Sequence, residues 1–401
     1  MDLAFLPTLP PAVSQLMLFG VLLLCGLAAG EAMRRYAGLP RITGYVLAGV
    51  LLGPQVTGLL DSDALFEARL IVDLAIGLVV FELGSRLDFG WLQRNQWLFA
   101  AALAEALFCF LGIYVSLVFF GFPPLFAATA AAIGTATSPA VVLLVQQELR
   151  SEGQVTERMI LCSAVNTVFA YLVLALLLPF LYIEEKVGLG TAVLHPMYVF
   201  VGAAVLGLLA SRFALLAARW IGKDEDRQFV LLVALIVATI GLAHSLRLSV
   251  VVALVTFGML SRNFDSAHVL LPVRLGHGAQ IFFVILFLLA GASLEFHAFE
   301  IAAAAVVATY VIVRFLGKAA GLLLFSRPSG IPTAKAGLLA VALLPMSGLA
   351  VVMVRDTVTL YPSFGRELAA VVLSAVVVLE LIGPIATQFA LRRAGEARPD
   401  S

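Results

Sequence analysis

Apolar residues along this chain come in long stretches that lack both the alternation of a half-buried strand and the one-sided periodicity of a surface helix. Each is about 20 residues long, enough for an α-helix to cross the hydrocarbon of a bilayer. They fall near 12–33, 42–60, 69–87, 95–120, 125–146, 158–182 and 195–220, then near 227–245, 248–262, 277–295, 297–325, 333–360 and 367–391. The pattern predicts about 13 transmembrane helices in an all-α polytopic membrane protein.

Two of the stretches are interrupted. Gly134–Val145 carries Thr135, Thr137, Ser138 and Pro139 in the middle of an apolar run, and Leu344–Val352 carries Pro345, Ser347 and Gly348. Proline removes a backbone donor and clashes with the preceding turn, so Pro139 and Pro345, with Gly348, mark helix breaks. Freed backbone groups are tolerated in a membrane only under cover of protein or a watery cavity. Paired broken helices are where transporters place their sites.

The interruptions superpose at an offset of about 209 residues, Ser138 on Ser347 and Pro139 on Gly348, as half-repeats would. Gly49-Val50-Leu51-Leu52 echoes Gly258-Met259-Leu260-Ser261, and Gly84–Phe89 echoes Gly291–Phe296. Three matches in order argue for an internal duplication. Repeat one would cover about 12–182 and repeat two about 227–391, joined by a helix near 195–220. An odd helix between six-helix repeats inverts the second against the first. The expected unit is one transmembrane domain over 1–391, a short tail at 392–401 and no soluble regulatory domain.

Composition agrees. Of 401 residues, 62% are hydrophobic and 12% charged, with mean hydropathy +1.06 and zero net charge. A soluble domain carries about twice that share of charge, and nothing points to nucleic acid. Cys25, Cys109 and Cys162 lie in apolar stretches without paired spacing, and the five histidines, His268 and His277 among them, are scattered. No metal site, phosphate loop or nucleophile triad stands out, so neither a cofactor nor enzymatic chemistry is expected. The first eleven residues lack Lys and Arg, which makes the first stretch a retained helix instead of a signal peptide.

Counted along the predicted spans, one side of the membrane collects roughly 18 Lys and Arg and the other 5. The positive-inside rule then places the N-terminus outside and the C-terminus in the cytoplasm of a cell (plasma or inner) membrane. Arg314 and Lys318 fall inside a span, four residues apart and so on one face. Glu82, Glu105 and Glu380 also fall inside spans. An unpaired charge at the bilayer centre costs at least about 2.5–3.5 kcal/mol, so these groups are expected to pair or to face a cavity. They are the candidates for proton coupling or charge compensation; a structural ion pair is the alternative, above all for Glu82 beside Arg86.

Arg41–Pro54 (RITGYVLAGVLLGP), Phe81–Asp88, the Thr-Ser-Pro-Ala-Val-Val stretch, Gly317-Lys318 and Glu380–Pro384 together resemble the monovalent cation:proton antiporter superfamily, in its Kef-type and Nap-type branch. The resemblance implies a homodimer, crossed broken helices in a core domain, and movement of that core against a dimerisation domain. Lys318 matches the family's core-helix lysine, with Arg314 one turn away. Family exchangers carry an aspartate pair or Asn-Asp in the helix after the first break; here the matching residues are Asn166 and Thr167, neither of which ionises. Thr137, Ser138, Asn166, Thr167 and Ser347 are the candidate cation ligands, since hard cations accept neutral oxygens. The proton would have to travel on Lys318, Glu105, Glu380 or Glu82, with Arg314 as a charge-compensating candidate. The expected function is exchange of Na+ or K+ for protons. Its alternatives are a same-fold cation uniporter or sodium-coupled organic solute symporter, and a non-transporting membrane sensor.

Overall fold

The computed structural model describes residues 15–60, 69–184, 189–265, 269–270, 277–293, 301–346, 348–360 and 362–398. Among these the chain is helical throughout: α1 (Gln15–Ala32), α2 (Arg41–Leu52), α3 (Arg69–Ser85), α4 (Phe89–Arg94), α5 (Gln96–Phe119), α6 (Pro124–Thr135), α7 (Pro139–Leu149) and α8 (Gln154–Glu184). After α9 (Leu189–Ile221) come α10 (Glu225–Ser245), α11 (Val250–Phe264), α12 (His277–Ala292), α13 (Ile301–Leu324), α14 (Thr333–Ala342), α15 (Gly348–Leu360) and α16 (Pro362–Arg393). The pairs α6/α7 and α14/α15 are the two interrupted spans, so the expected order of elements holds. The second span is shorter than its apolar run. Gly53 caps α2 in extended conformation ahead of Pro54, and the loop folds back until Leu60 N–H donates to the Leu52 carbonyl at 2.9 Å.

Helices α1–α3 and α9–α12 form one bundle; α5–α8 and α13–α16 form the other. In the first bundle the duplication becomes visible as packing. Gly49 of α2 lies against the Leu288 carbonyl of α12, and Gly291 of α12 against the Val46 carbonyl. The repeat-related pair does the same: Gly258 of α11 meets the Phe81 carbonyl of α3, and Gly84 of α3 meets the Val255 carbonyl. A Cβ at any of the four would sit inside the van der Waals radius of that oxygen, so only glycine lets these backbones touch.

The broken span α6–α7 is the most enclosed of the long apolar spans among the described residues, with 94% of its apolar window buried, against 28% for α9. Exposed Leu24, Leu27, Val115, Phe119, Leu209 and Leu324 lie on the outer helices, where lipid replaces protein as the apolar solvent. Two apolar clusters, one around Ile113, Phe126 and Met353 and the other around Val142, Met159 and Leu339, flank the breaks.

Candidate functional site

The two breaks meet. Proline at position 139 starts α7 with Ser138 as its N-cap, whose hydroxyl accepts from Val141 N–H at 3.3 Å. Residues 136–138 stay extended, and Ser138 N–H donates to the Pro345 carbonyl of the second break at 3.0 Å. The remaining freed carbonyls are gathered by Arg314 of α13. Its Nε donates to Gly134 (2.7 Å), Nη1 to Leu344 (2.7 Å), and Nη2 to Ala136 (2.9 Å) and Pro345 (3.4 Å). A rigid fork of five N–H groups suits four fixed carbonyls, and it does not lose its proton in a protein. Tyr310, one turn before, adds a hydroxyl bond to the Ala130 carbonyl at 2.9 Å.

One turn further along α13, Lys318 enters a fully buried polar cluster. Its Nζ forms an ion pair with Glu105 Oε1 and also donates to Thr137 Oγ1 (3.1 Å) and the Thr135 carbonyl (3.2 Å). Asn166 Nδ2, from α8, donates to the same Glu105 oxygen (3.2 Å) and to Thr137 Oγ1 (2.9 Å). Glu105, Thr137, Asn166 and Lys318 all have no exposed surface. Glu105 is brought here because Gly317 and Gly321 lie on either side of Lys318 and let α13 rest on the α5 backbone at Cys109 and Glu105. Two oxygens in the cluster accept nothing from the described residues: Glu105 Oε2 and Asn166 Oδ1.

The structure therefore joins Thr137, Asn166, Lys318 and Glu105, with Arg314 alongside as the clasp of the breaks. Thr167 turns away, its hydroxyl donating back to the Ser163 carbonyl at 2.8 Å. Glu82 pairs with Arg86 at 2.7 Å on α3, outside the cluster. Glu380, on α16, is 2% exposed and lines a cavity between the bundles together with Ser138, Pro139 and Gly348. Ser347 lies outside the described residues, as does His268. What the residue list alone did not reveal is the division of labour between Arg314 and Lys318. The glycines flanking Lys318 were the available sign that its helix backs onto α5 at Glu105.

Crossed broken helices inside a two-bundle, inverted-repeat membrane protein define a class of secondary transporters. The comparisons narrow the class. The family model for the transmembrane sodium/hydrogen exchanger matches residues 19–393, and the chain belongs to that family. It is 31% identical over 170 residues to the probable Na(+)/H(+) antiporter GerT of Bacillus cereus, a match spanning 41% of this chain and 44% of that relative. Two structures of the sodium proton antiporter MjNhaP1 from Methanocaldococcus jannaschii share the fold. One is 16% identical with a TM-score of 0.71 and full coverage of both chains. The other, at pH 8, is 15% identical with a TM-score of 0.61, covering 95% of this chain and 97% of that one.

Proposed function

We propose that this protein exchanges a monovalent cation, Na+ or K+, for protons by alternating access, with Glu105 as the carboxylate for which the cation and the protonated Lys318 compete. The observation that carries the proposal is the buried Glu105–Lys318–Asn166–Thr137 cluster at the crossing. It supplies a titratable acid where Asn166 and Thr167 supply none. The oxygens Glu105 Oε2 and Asn166 Oδ1 stand without donors, and a hard cation takes such oxygens as ligands. A cation arriving beside Glu105 displaces the Lys318 ammonium, which gives up its proton to water; the reverse step returns a proton and expels the cation. Cation and proton then compete for one position, which is what exchange requires.

The bundle of α5–α8 and α13–α16 would move against the bundle of α1–α3 and α9–α12, the latter serving as the dimerisation part of a homodimer. The N-terminus would lie outside and the C-terminus in the cytoplasm of the cell membrane. The test is a pulse of NaCl or KCl onto proteoliposomes loaded with a pH-sensitive dye. Wild type gives a cation-dependent pH change, and Glu105→Gln reduces it at least about 100-fold, as expected when the carboxylate that holds the cation and the Lys318 ammonium in turn is removed. Labelled cation entering the wild type without any pH change would replace exchange by uniport or solute symport.

A further inference from the structure

The cavity between the bundles has two unlike walls. Helices α3 and α12 supply an apolar one, including Val79 and Phe287. The other is built from the first turns of α7 and α15, at Pro139 and Gly348, and from the side chain of Glu380. Glu380 is the only titratable group among the described residues lining this cavity. It is buried, forms no ion pair among the described residues, and takes no part in the cluster at the crossing. Four residues on, Pro384 has no N–H to return to the Glu380 carbonyl, which frees a second oxygen at the same residue.

The cavity and the buried cluster share a partition. Residues 136–138 belong to neither half-helix, and their neighbouring side chains go to different places. Thr137 bonds to Lys318 and Asn166, whereas Ser138 lines the cavity. Glu380 and Glu105 are thus linked through two adjacent residues of the first break, Ser138 on the cavity and Thr137 in the cluster.

We propose that Glu380 is a loading site, at which a monovalent cation and a proton from the cavity compete before the cation passes to Glu105. This rests on the exchange reading of the crossing. Both half-helices begin at this cavity, at Pro139 and Gly348, so their positive dipole ends lie on the cavity that Glu380 lines. Those ends offset the burial of an anionic side chain and weaken its hold on a cation. A site that must load and release needs such moderate affinity.

Two measurements test the assignment. In the first, purified wild-type protein is treated with dicyclohexylcarbodiimide, which modifies protonated carboxyls in apolar surroundings, and Glu380 labelling is read by peptide mass. Labelling suppressed by NaCl or KCl but not by choline chloride supports the loading site; labelling indifferent to these salts, or absent from cation-free buffer, overturns it. In the second, Glu380→Gln is expected to raise the cation KM about tenfold and flatten its pH dependence while kcat falls less than about threefold, and Glu380→Asp to restore both. An unchanged KM and pH profile in Glu380→Gln, or a loss confined to kcat, would leave Glu380 as a structural counter-charge to the helix ends. Failure of the exchange reading itself appears separately, as wild-type vesicles with no cation-driven pH change, and the labelling experiment still decides Glu380.

Discussion

At the seams α2–α12 and α3–α11 each repeat offers the other the same glycine and the same carbonyl. At the crossing each offers something different. The offset that puts Ser138 on Ser347 puts Glu105 on Arg314 and Asn166 on Ala375. The first break contributes the hydroxyl of Thr137 and the carbonyls of Gly134, Thr135 and Ala136; the second contributes the carbonyls of Leu344 and Pro345. Geometry has been kept in the half where backbones must touch. Chemistry has diverged in the half where the two breaks cross. An acid and a guanidinium at repeat-related positions make one polar pocket beside one clasp, in place of two weaker copies of either.

The largest effects should come from the divergent half. Arg314→Lys replaces a planar fork that reaches four buried carbonyls by a shorter point-like ammonium, and each carbonyl it fails to reach costs about 1–3 kcal/mol. The variant should lose most of its folded yield in detergent, measured by fluorescence size-exclusion chromatography. Lys318→Ala strands a buried carboxylate and should destabilise by about 3–5 kcal/mol, whereas Lys318→Met with Glu105→Gln should recover the melting temperature but not exchange. Recovery of transport by that double variant would remove the pair from the mechanism.

The conserved geometry of the seams predicts symmetry. Gly49→Ala and Gly258→Ala should each cost about 1–3 kcal/mol and match one another, since each drives a Cβ into a repeat-related carbonyl. Gly241→Ala, which meets nothing within 4 Å, should be neutral or mildly stabilising. Unequal costs at Gly49 and Gly258 would break the comparison.

The smallest effect concerns a contact outside the spans. Glu396 accepts from the N–H groups of Val155 (3.0 Å) and Thr156 (2.8 Å) at the start of α8 and pairs with Lys335 of α14 at 3.1 Å. Burial by itself would raise its pKa, but the two N–H groups and the ammonium outweigh burial and hold the carboxyl below its ordinary value. A depressed folded pKa means the contribution is complete above the unfolded value near about 4.3 and is lost as pH falls through the folded one. Thermal unfolding should therefore show about 1–2 kcal/mol at neutral pH that Glu396→Gln lacks. The gap should close in acid; a gap that persists there would deny the carboxylate its role.

Much of this fold was legible because spans, breaks and repeats are written in apolar length, proline and glycine. Thr137, Asn166, Lys318 and Glu105 stood out for a similar reason: polar groups in hydrocarbon need partners. Their grouping was not legible, because Glu105 and Lys318 lie 213 positions apart, and pairing across that distance depends on how α5 rests on α13. Thr167 looked equivalent to Asn166 in sequence. A helix turns by about 100° per residue, and that one step takes its hydroxyl from the cluster to its own backbone.

The glycine seams carry a mechanical consequence. Each works as a latch: sliding α2 along α12 by one turn toward its N-terminal side would bring Tyr45 or Val46 to the place of Gly49, and neither side chain fits against a carbonyl there. Two such latches, at opposite ends of one bundle's internal symmetry, hold it in a single register. If exchange proceeds by alternating access, as proposed above, the displacement would fall on the surface where the bundles face each other, and that surface contains the cavity at Glu380.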